Sequence, residues 1–468
     1  MKVKLHMAAE SALDSVFAGY QADILKEFGL LLLDTSFGEG ELWEESVIKD
    51  FTDYMQSEIG MVRTINNRGI NFFAASPSNI KIIDTVFITD FHGEIFADSV
   101  IQYMKFAELG NLVSIVSEQL NKLVQWSKGN NTINNAHKSF NELEFRNSSE
   151  RLKGMSKEDA TDENNEEMVK ETINNRIIGK IKHYVENKLL DLVIPKERNL
   201  SNGYIQGDSL PSKSHNFASV GGESDVPLIE NITQEVLFNE YLLNNFHAFT
   251  NVNEENPFQY ELEYILCGKT HDRDNLMAVI SKLLQIRTGL NMVTIMKSSI
   301  MRQEALLFAT ALVGGVAIPG IVQLTQILTM AAWACAESFV DIHTLLEGNK
   351  VPILKSQNDW NLSISSLNNF EEINMSTEKN ENGLSYRDYL RLLFMFQQKG
   401  LKYFYTMDII QNRIQKQQPN FRLDLCIYGL EVETKIDVRP LFFTLPLSNL
   451  KYTPENKLNL SCKIGRSY

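Results

Sequence analysis

The stretch Gln303–Gly348, QEALLFATALVGGVAIPGIVQLTQILTMAAWACAESFVDIHTLLEG, constrains the fold more than any other part of the chain. It is the most apolar segment of an otherwise polar protein, and such a run has to leave water, into a core or into a bilayer. Two helices are predicted, Gln303–Val313 and Pro319–Glu347, with a bend at Gly314–Gly315. Pro319 falls in a first turn, where its missing N–H is no loss, and Gly348 falls just past the end. A membrane reading competes, because Ala305–Val322 approaches the length of a span. Against it, the Gly-Gly and Pro-Gly elements cut the run into pieces too short to cross alone. Gln323, Gln326, Glu337 and Asp341 return at three- and four-residue spacing, as on a helix with a partly wet face. The expectation is a buried helical hairpin in a water-soluble protein, with Trp333 and Phe339 in the core.

A chain of 468 residues has length for two domains and linkers. Hydrophobic residues at 43% and aromatics at 10% exclude wholesale disorder. A formal charge of −14 argues against a general nucleic-acid binder, which needs a basic face. Cys267, Cys335, Cys426 and Cys462 lie far apart among apolar neighbours, with no C-x-x-C pair, so they read as buried free thiols. The opening MKVKLHMAAESALDS contains no apolar h-region and so no visible signal peptide.

Met1–Leu25 reads as one long helix, with Leu5, Ala9, Ala12, Val16, Tyr20 and Ile24 at helical spacing. Leu5, Ala8, Ala9, Ala12, Leu13 and Val16 form a stripe of mainly small apolar residues that permits close helix approach. A short helix is predicted at Leu42–Met55, a β-branched strand at Ile80–Thr89, and helices at 94–109 and 111–126. From Gly129 to Thr172 apolar residues are too sparse to offset ordering entropy, which predicts a flexible insertion. A helix at Ile173–Val193 separates it from a second polar stretch, Pro195–Pro227. Helices follow at 228–249 and 274–296. Between them Phe258, Tyr260, Leu262, Tyr264 and Leu266 alternate with polar residues, the cleanest period-two strand in the chain. Ser385-x-x-Asp388 resembles a capping box opening a helical segment interrupted near Gly400. In the last strand, Phe421–Ile436, the apolar parity changes between Ile427 and Leu430, which predicts a β-bulge at Tyr428–Gly429. Pro440, Pro446 and the polar tail suggest an edge element or a loose end.

The expected fold is α+β and mainly helical, with a largely antiparallel sheet from 80–89, 258–267 and 421–436, a long N-terminal helix and the buried apolar hairpin. The expected division is an N-terminal helix with the first part of the head over 1–128, a flexible polar insertion over 129–227, a main α+β domain over 228–436 and a tail over 437–468.

No motif spells out a chemistry. Gly268-Lys269-Thr270 sits between a predicted strand and a helix, but Glu263 stands where a phosphate loop needs its first glycine. A turn at Gly268 with Asp272 or Asp274 capping the next helix fits better. Glu337 and Asp341 lie one turn apart and could serve acid–base or metal work, but Glu-x-x-His pairs are missing. His343 is out of step with both, so the two carboxylates read as a solvated face. His271 beside Asp272 and Asp274 is short of calcium ligands. No H-x-x-x-H spacing and no G-x-S-x-G elbow occur, so no cofactor, metal or catalytic residue is assigned.

Several stretches together resemble one family. HMAAESALDSVFAGYQADILKEFGLLLLD (6–34), TDFHGEIFADSVIQYMKF (89–106), ELEYILCGKTHDRDNLMAVISKLLQIRTGLN (261–291), AAWACAESFVDIHTLLEGNKVPILK (331–355), LSYRDYLRLLF (384–394) and FRLDLCIYGLEVE (421–433) carry the likeness. It is to uncharacterised extracytoplasmic proteins of low-GC Gram-positive anaerobes, similar to TadE-like minor pilins. The resemblance implies a non-enzymatic surface or pilus-assembly component with pilus or secretion-machinery proteins as partners and no nucleic acid. It also implies a hydrophobic N-terminal segment, absent from this chain, that continues into Met1–Leu25 and anchors the protein in a membrane. In that setting the helix is expected to be poorly buried along one side and to serve assembly through the stripe of Leu5, Ala8, Ala9, Ala12, Leu13 and Val16; otherwise it packs on its own head through the same stripe. The alternative is an extracytoplasmic hydrolase or binding enzyme with a site built from scattered residues.

Overall fold

A computed structural model of the protein describes residues 2–36, 38, 43–60, 75–107, 179–205, 207–214, 228–254, 256–313, 319–372, 375, 383–438 and 458–468. In chain order they form α1 (Lys2–Phe17), α2 (Ala22–Phe28), β1 (Leu33–Asp34), α3 (Trp43–Gly60), β2 (Ser76–Phe87) and α4 (Asp90–Ala107). Next come α5 (Gly179–Asn187), α6 (Leu189–Val193), α7 (Pro211–Ser214) and α8 (Leu228–Asn245). Then follow α9 (Glu261–Cys267), α10 (Asp272–Lys297), α11 (Ser299–Val313) and α12 (Pro319–Leu346). The last elements are α13 (Tyr386–Met395), α14 (Lys399–Gln415), β3 (Cys426–Val438) and β4 (Leu458–Ser467). The fold is α+β and mainly helical, with a small antiparallel sheet. The predicted helix at 111–126, the insertion at 129–172, the bend at Gly314–Gly315 and both Pro440 and Pro446 lie outside the described residues.

The chain divides into two compact units that interleave along it rather than following one another. One comprises Met1–Leu109, Gln206–Tyr241 and Gln398–Tyr468; the other comprises Gly110–Ile205 and Leu242–Gln397.

In the first unit β3 is the central strand, antiparallel to β2 on one side and to β1 and β4 on the other. The predicted bulge is present: Val86 pairs with Gly429 and Phe87 with Ile427, leaving Tyr428 as the extra residue. The slip keeps Ile427, Leu430, Val432 and Ile436 buried on one face, while Glu431, Glu433, Lys435 and Asp437 take the other. The strand starts later than expected, because Leu423–Leu425 is a 3₁₀ turn.

α1 and α3 cover the apolar face. The single helix expected over Met1–Leu25 is two helices, broken where the chain turns at Ala18–Gln21. Leu5, Ala8, Ala9, Ala12, Leu13 and Val16 are all buried, in one cluster with Val47, Phe51, Met55, Val432 and Ile464. The stripe is therefore a core face and not an open assembly surface. Its small side chains let α1 lie close to the sheet, and the exposed side of the helix carries Val3 and Met7 instead.

A second cluster of this unit joins α4, α8 and α14. Phe238 meets Phe96 and Tyr403 edge-on, at ring centroids 6.0 and 4.8 Å apart. α4 opens with three left-handed residues, Phe91 (φ 51°), His92 (58°) and Gly93 (84°). A Cβ on Gly93 would lie 3.1 Å from Tyr403 Cβ, so glycine serves both the backbone and the packing there.

The second unit is helical. Its apolar hairpin is α11 and α12, close to the predicted bounds, with Trp333 and Phe339 buried. α11 buries Met301, Ala305, Ala309 and Val313, one residue per turn. Among the described residues no helix is long and apolar enough to cross a membrane. The strand expected at 258–267 is a correction: Glu261–Cys267 is a helix. Its alternating polar residues are not a wet face, because Glu261 and Glu263 are buried with the aromatics. The polar stretch after Pro195 is also more structured than expected. Arg198 Nη1 donates to the Phe249 carbonyl at 2.8 Å, and Ser201 Oγ to Asp272 Oδ2 at 2.5 Å.

Candidate functional site

Gly268 (φ 63°) ends α9 in the left-handed conformation, its N–H bonded to the Tyr264 carbonyl at 2.7 Å. The segment before it is a helix, so the strand–loop–helix context of a phosphate loop is missing. The following turn closes on Asn275, whose side chain accepts from Lys269 N at 2.8 Å and donates to the Lys269 carbonyl at 2.7 Å. Asp272 does not cap its own helix. Its carboxylate turns back to accept from Gln259 N at 2.9 Å and Tyr260 N at 3.0 Å. Gly203 makes room for this: a Cβ there would lie 2.4 Å from Asp272 Oδ2 and 2.1 Å from the Pro257 carbonyl oxygen. Asp274 and His271 are exposed. Among the described residues no group of three or more His, Cys, Asp and Glu side chains could hold a metal ion.

Glu337 and Asp341 overturn their sequence reading most clearly, because both are fully buried. One turn apart on α12, they face two cations from other segments. Arg287, on α10, donates Nε–H to Asp341 Oδ2 at 2.9 Å, and its Nη2 lies 2.8 Å from the same oxygen. Lys355 Nζ lies 2.5 Å from Asp341 Oδ1 and also bonds Glu337 Oε1. Asn291 Nδ2 adds 2.8 Å to Asp341 Oδ2. Leu362 N adds 2.9 Å to Glu337 Oε2, and Arg287 Nη1 reaches the carbonyls of Pro352 and Ile353 at 2.8 and 3.1 Å.

Two positive and two negative charges thus close on one another in the interior. Burial pushes the Glu337 carboxyl up against the pull of Lys355. At Asp341 burial also opposes ionisation, but Arg287 and Lys355 outweigh it and hold the carboxyl below its usual range. The donors and acceptors are consumed within the network, which pins the 352–362 segment onto α10 and α12. Removing one member of such a set costs about 3–5 kcal/mol, because it strands a buried charge. Its role is structural. Arg287 and Lys355 were not singled out by sequence reasoning; they lie 54 and 18 residues from their carboxylate partners.

A chemically different cluster sits at the edge of the first unit. β4 runs alongside α1, with Cys462 against His6, Arg466 Nε 2.8 Å from Asp14 Oδ1, and the Tyr468 ring 4.9 Å from Phe17. Four strand residues advance about 13 Å and eight helix residues about 12 Å, so strand and helix keep step. The result is Cys462 Sγ 2.8 Å from His6 Nδ1, with His6 Nε2 3.5 Å from Glu10 Oε1. A groove of about 390 Å³ opens beside the thiol, lined by Val3, Leu5, Ile436 and Leu460 with Lys2 and Lys463. Burial, reinforced by Glu10, pushes the Cys462 thiol up, while Lys2 draws it down. His6 and Cys462 are 456 residues apart, and no spacing rule could have paired them. All four cysteines are free; Cys335, Cys426 and Cys462 are buried and Cys267 is half-buried.

No curated protein and no solved structure matches the chain. One family does, over residues 167–438, a span that takes in α5 to β3 and so the whole buried network. The chain belongs to DUF5702, a family of unknown function.

Proposed function

We propose that this protein is a non-enzymatic structural and interaction component of the cell surface, associated with pilus assembly and working outside the cytoplasm beside a membrane. The resemblance to TadE-like surface proteins supports the setting. The observation that carries an interaction role is the outer side of the α11–α12 hairpin. Residues 305–336 contain no charged side chain, and within them Leu306, Leu307 and Ile327 are exposed, Leu307 at 65%. Scattered exposed leucines are ordinary, but within a charge-free stretch of the hairpin they suit a partner protein with an apolar contact surface.

A photo-crosslinking residue placed at Leu307 in cells tests this. Covalent adducts with a pilin-like or secretion-machinery protein, together with cleavage of the chain by protease added outside intact cells, are expected. Adducts with lipid alone, or protection from external protease, would reject the reading. The hydrolase reading draws on a different observation, the Cys462–His6–Glu10 cluster. It predicts multiple turnovers of an ester substrate that disappear in Cys462→Ala.

A further inference from the structure

We propose that Cys462 is a nucleophilic thiol that accepts an acyl group from an ester or thioester with an apolar acyl chain, with His6 as its base and Glu10 positioning the imidazole. Three independent features converge on this thiol. The first is contact: Sγ and Nδ1 are 2.8 Å apart, within reach for direct proton transfer. The second is orientation. Glu10 Oε1, 3.5 Å from Nε2, favours the tautomer protonated on that nitrogen, which leaves Nδ1 to accept from sulfur. The third is space: the groove beside the thiol has walls of Val3, Leu5, Ile436 and Leu460, which suit a hydrocarbon chain. Of the other cysteines, Cys335 and Cys426 are buried, and Cys267 faces the Lys282 ammonium at 3.7 Å rather than an imidazole.

Because burial favours the protonated thiol, the reaction is base-assisted and does not start from a standing thiolate. Sulfur attacks the acyl carbon, and the new S–C bond forms as the S–H proton passes to His6 Nδ1. Collapse of the tetrahedral species breaks the bond to the leaving oxygen or sulfur, which takes that proton back. As the S–C bond forms, the C=O electron pair moves onto the acyl oxygen and returns when the tetrahedral species collapses; Lys2, in the groove lining, favours negative charge at this site. The charged groups around the thiol are Lys2 and Glu10 from α1 and Lys463 from β4; β3 contributes the apolar Ile436. Lys463 is occupied elsewhere, 2.9 Å from Glu431 Oε1.

The test uses the full chain with 4-nitrophenyl hexanoate and 4-nitrophenyl acetate, following nitrophenol release and the mass of the peptide containing Cys462. A hexanoyl adduct on Cys462, formed faster than the acetyl adduct, is expected and is measured without any substitution. Near neutral pH, His6→Ala should slow the reaction tenfold or more, and recover only at strongly alkaline pH, because burial holds the unassisted thiol above its ordinary range. Glu10→Gln should slow it a few-fold, and Cys462→Ala should remove the adduct. His6 is half exposed, so its variant should keep the parent thermal transition. The proposal fails if hexanoyl groups are found only on amines. It fails equally if Cys462 shows no preference for the longer chain and reacts at the same rate in His6→Ala.

Discussion

At the scale of single residues, Glu263 shows how much of this fold depends on carboxylates held out of water. Its Oε1 accepts from Phe249 N at 2.9 Å and from Tyr386 Oη at 2.7 Å, and its Oε2 has no hydrogen-bond partner among the described residues. Burial, only partly offset by those bonds, pushes the carboxyl up to about 7. The folded state therefore holds this proton more tightly than the unfolded chain does. Stability from it is complete below the unfolded value near 4.5, falls as pH rises, and levels off above about 7. Glu263→Gln should flatten that slope, and the variant should gain on the parent by roughly 3 kcal/mol between pH 4.5 and 8, read from urea unfolding at several pH values. A parent whose stability rises over that window would refute the assignment. Sequence reasoning could not see this, because period-two alternation counts any carboxylate as facing water. Glu261 and Glu263 instead satisfy the backbone N–H groups of His247 and Phe249, and their partners come from a turn that local pattern does not reveal. Glu337 was misread for the same reason: a charge on a helix is normally wet unless a counter-charge arrives from elsewhere in the chain.

At the scale of elements, what was legible is what is written locally. The Ser385–Asp388 capping box forms, with Ser385 Oγ accepting from Asp388 N and Asp388 Oδ2 accepting from Ser385 N at 3.0 Å. The hairpin helices and the bulge at Tyr428 follow equally from breakers and parity, whereas β4 does not: residues 437–468 were expected to be a tail, yet Leu458–Ser467 pairs along β3. The environment of α1 was not legible, since a stripe of small apolar residues looks the same whether its own sheet or a neighbouring molecule covers it. Ala12→Asp decides between the two. In the packed arrangement it buries an uncompensated charge and should cost about 3–5 kcal/mol, whereas Met7→Asp on the exposed side should stay within about 0.5 kcal/mol. A melting transition unchanged by Ala12→Asp would return the stripe to an assembly role.

At the scale of the whole molecule, the interleaving of the units has a mechanical meaning. β3 draws its partners from residues 33–34, 76–87 and 458–467, so segments far apart in the chain meet in one sheet. Deleting residues 458–468 should strip one edge of β3 and uncover the apolar side of α1. Hydrogen-exchange mass spectrometry should then show protection lost across α1, α3 and β3, while α10 and α12 keep theirs. Loss of protection in α10 and α12 as well would show that the two units unfold as one. The same topology sets a timetable for synthesis. At about 5–20 residues per second, roughly 20–80 seconds separate the emergence of α1 from that of β3. Throughout that interval the nascent chain carries α1 with only α3 to pack against and no sheet beneath it, while the hairpin unit behind it is completed. Early aggregation, and the choice of holding chaperone, should therefore be governed by the apolar face of α1 and α3 rather than by the far more apolar hairpin.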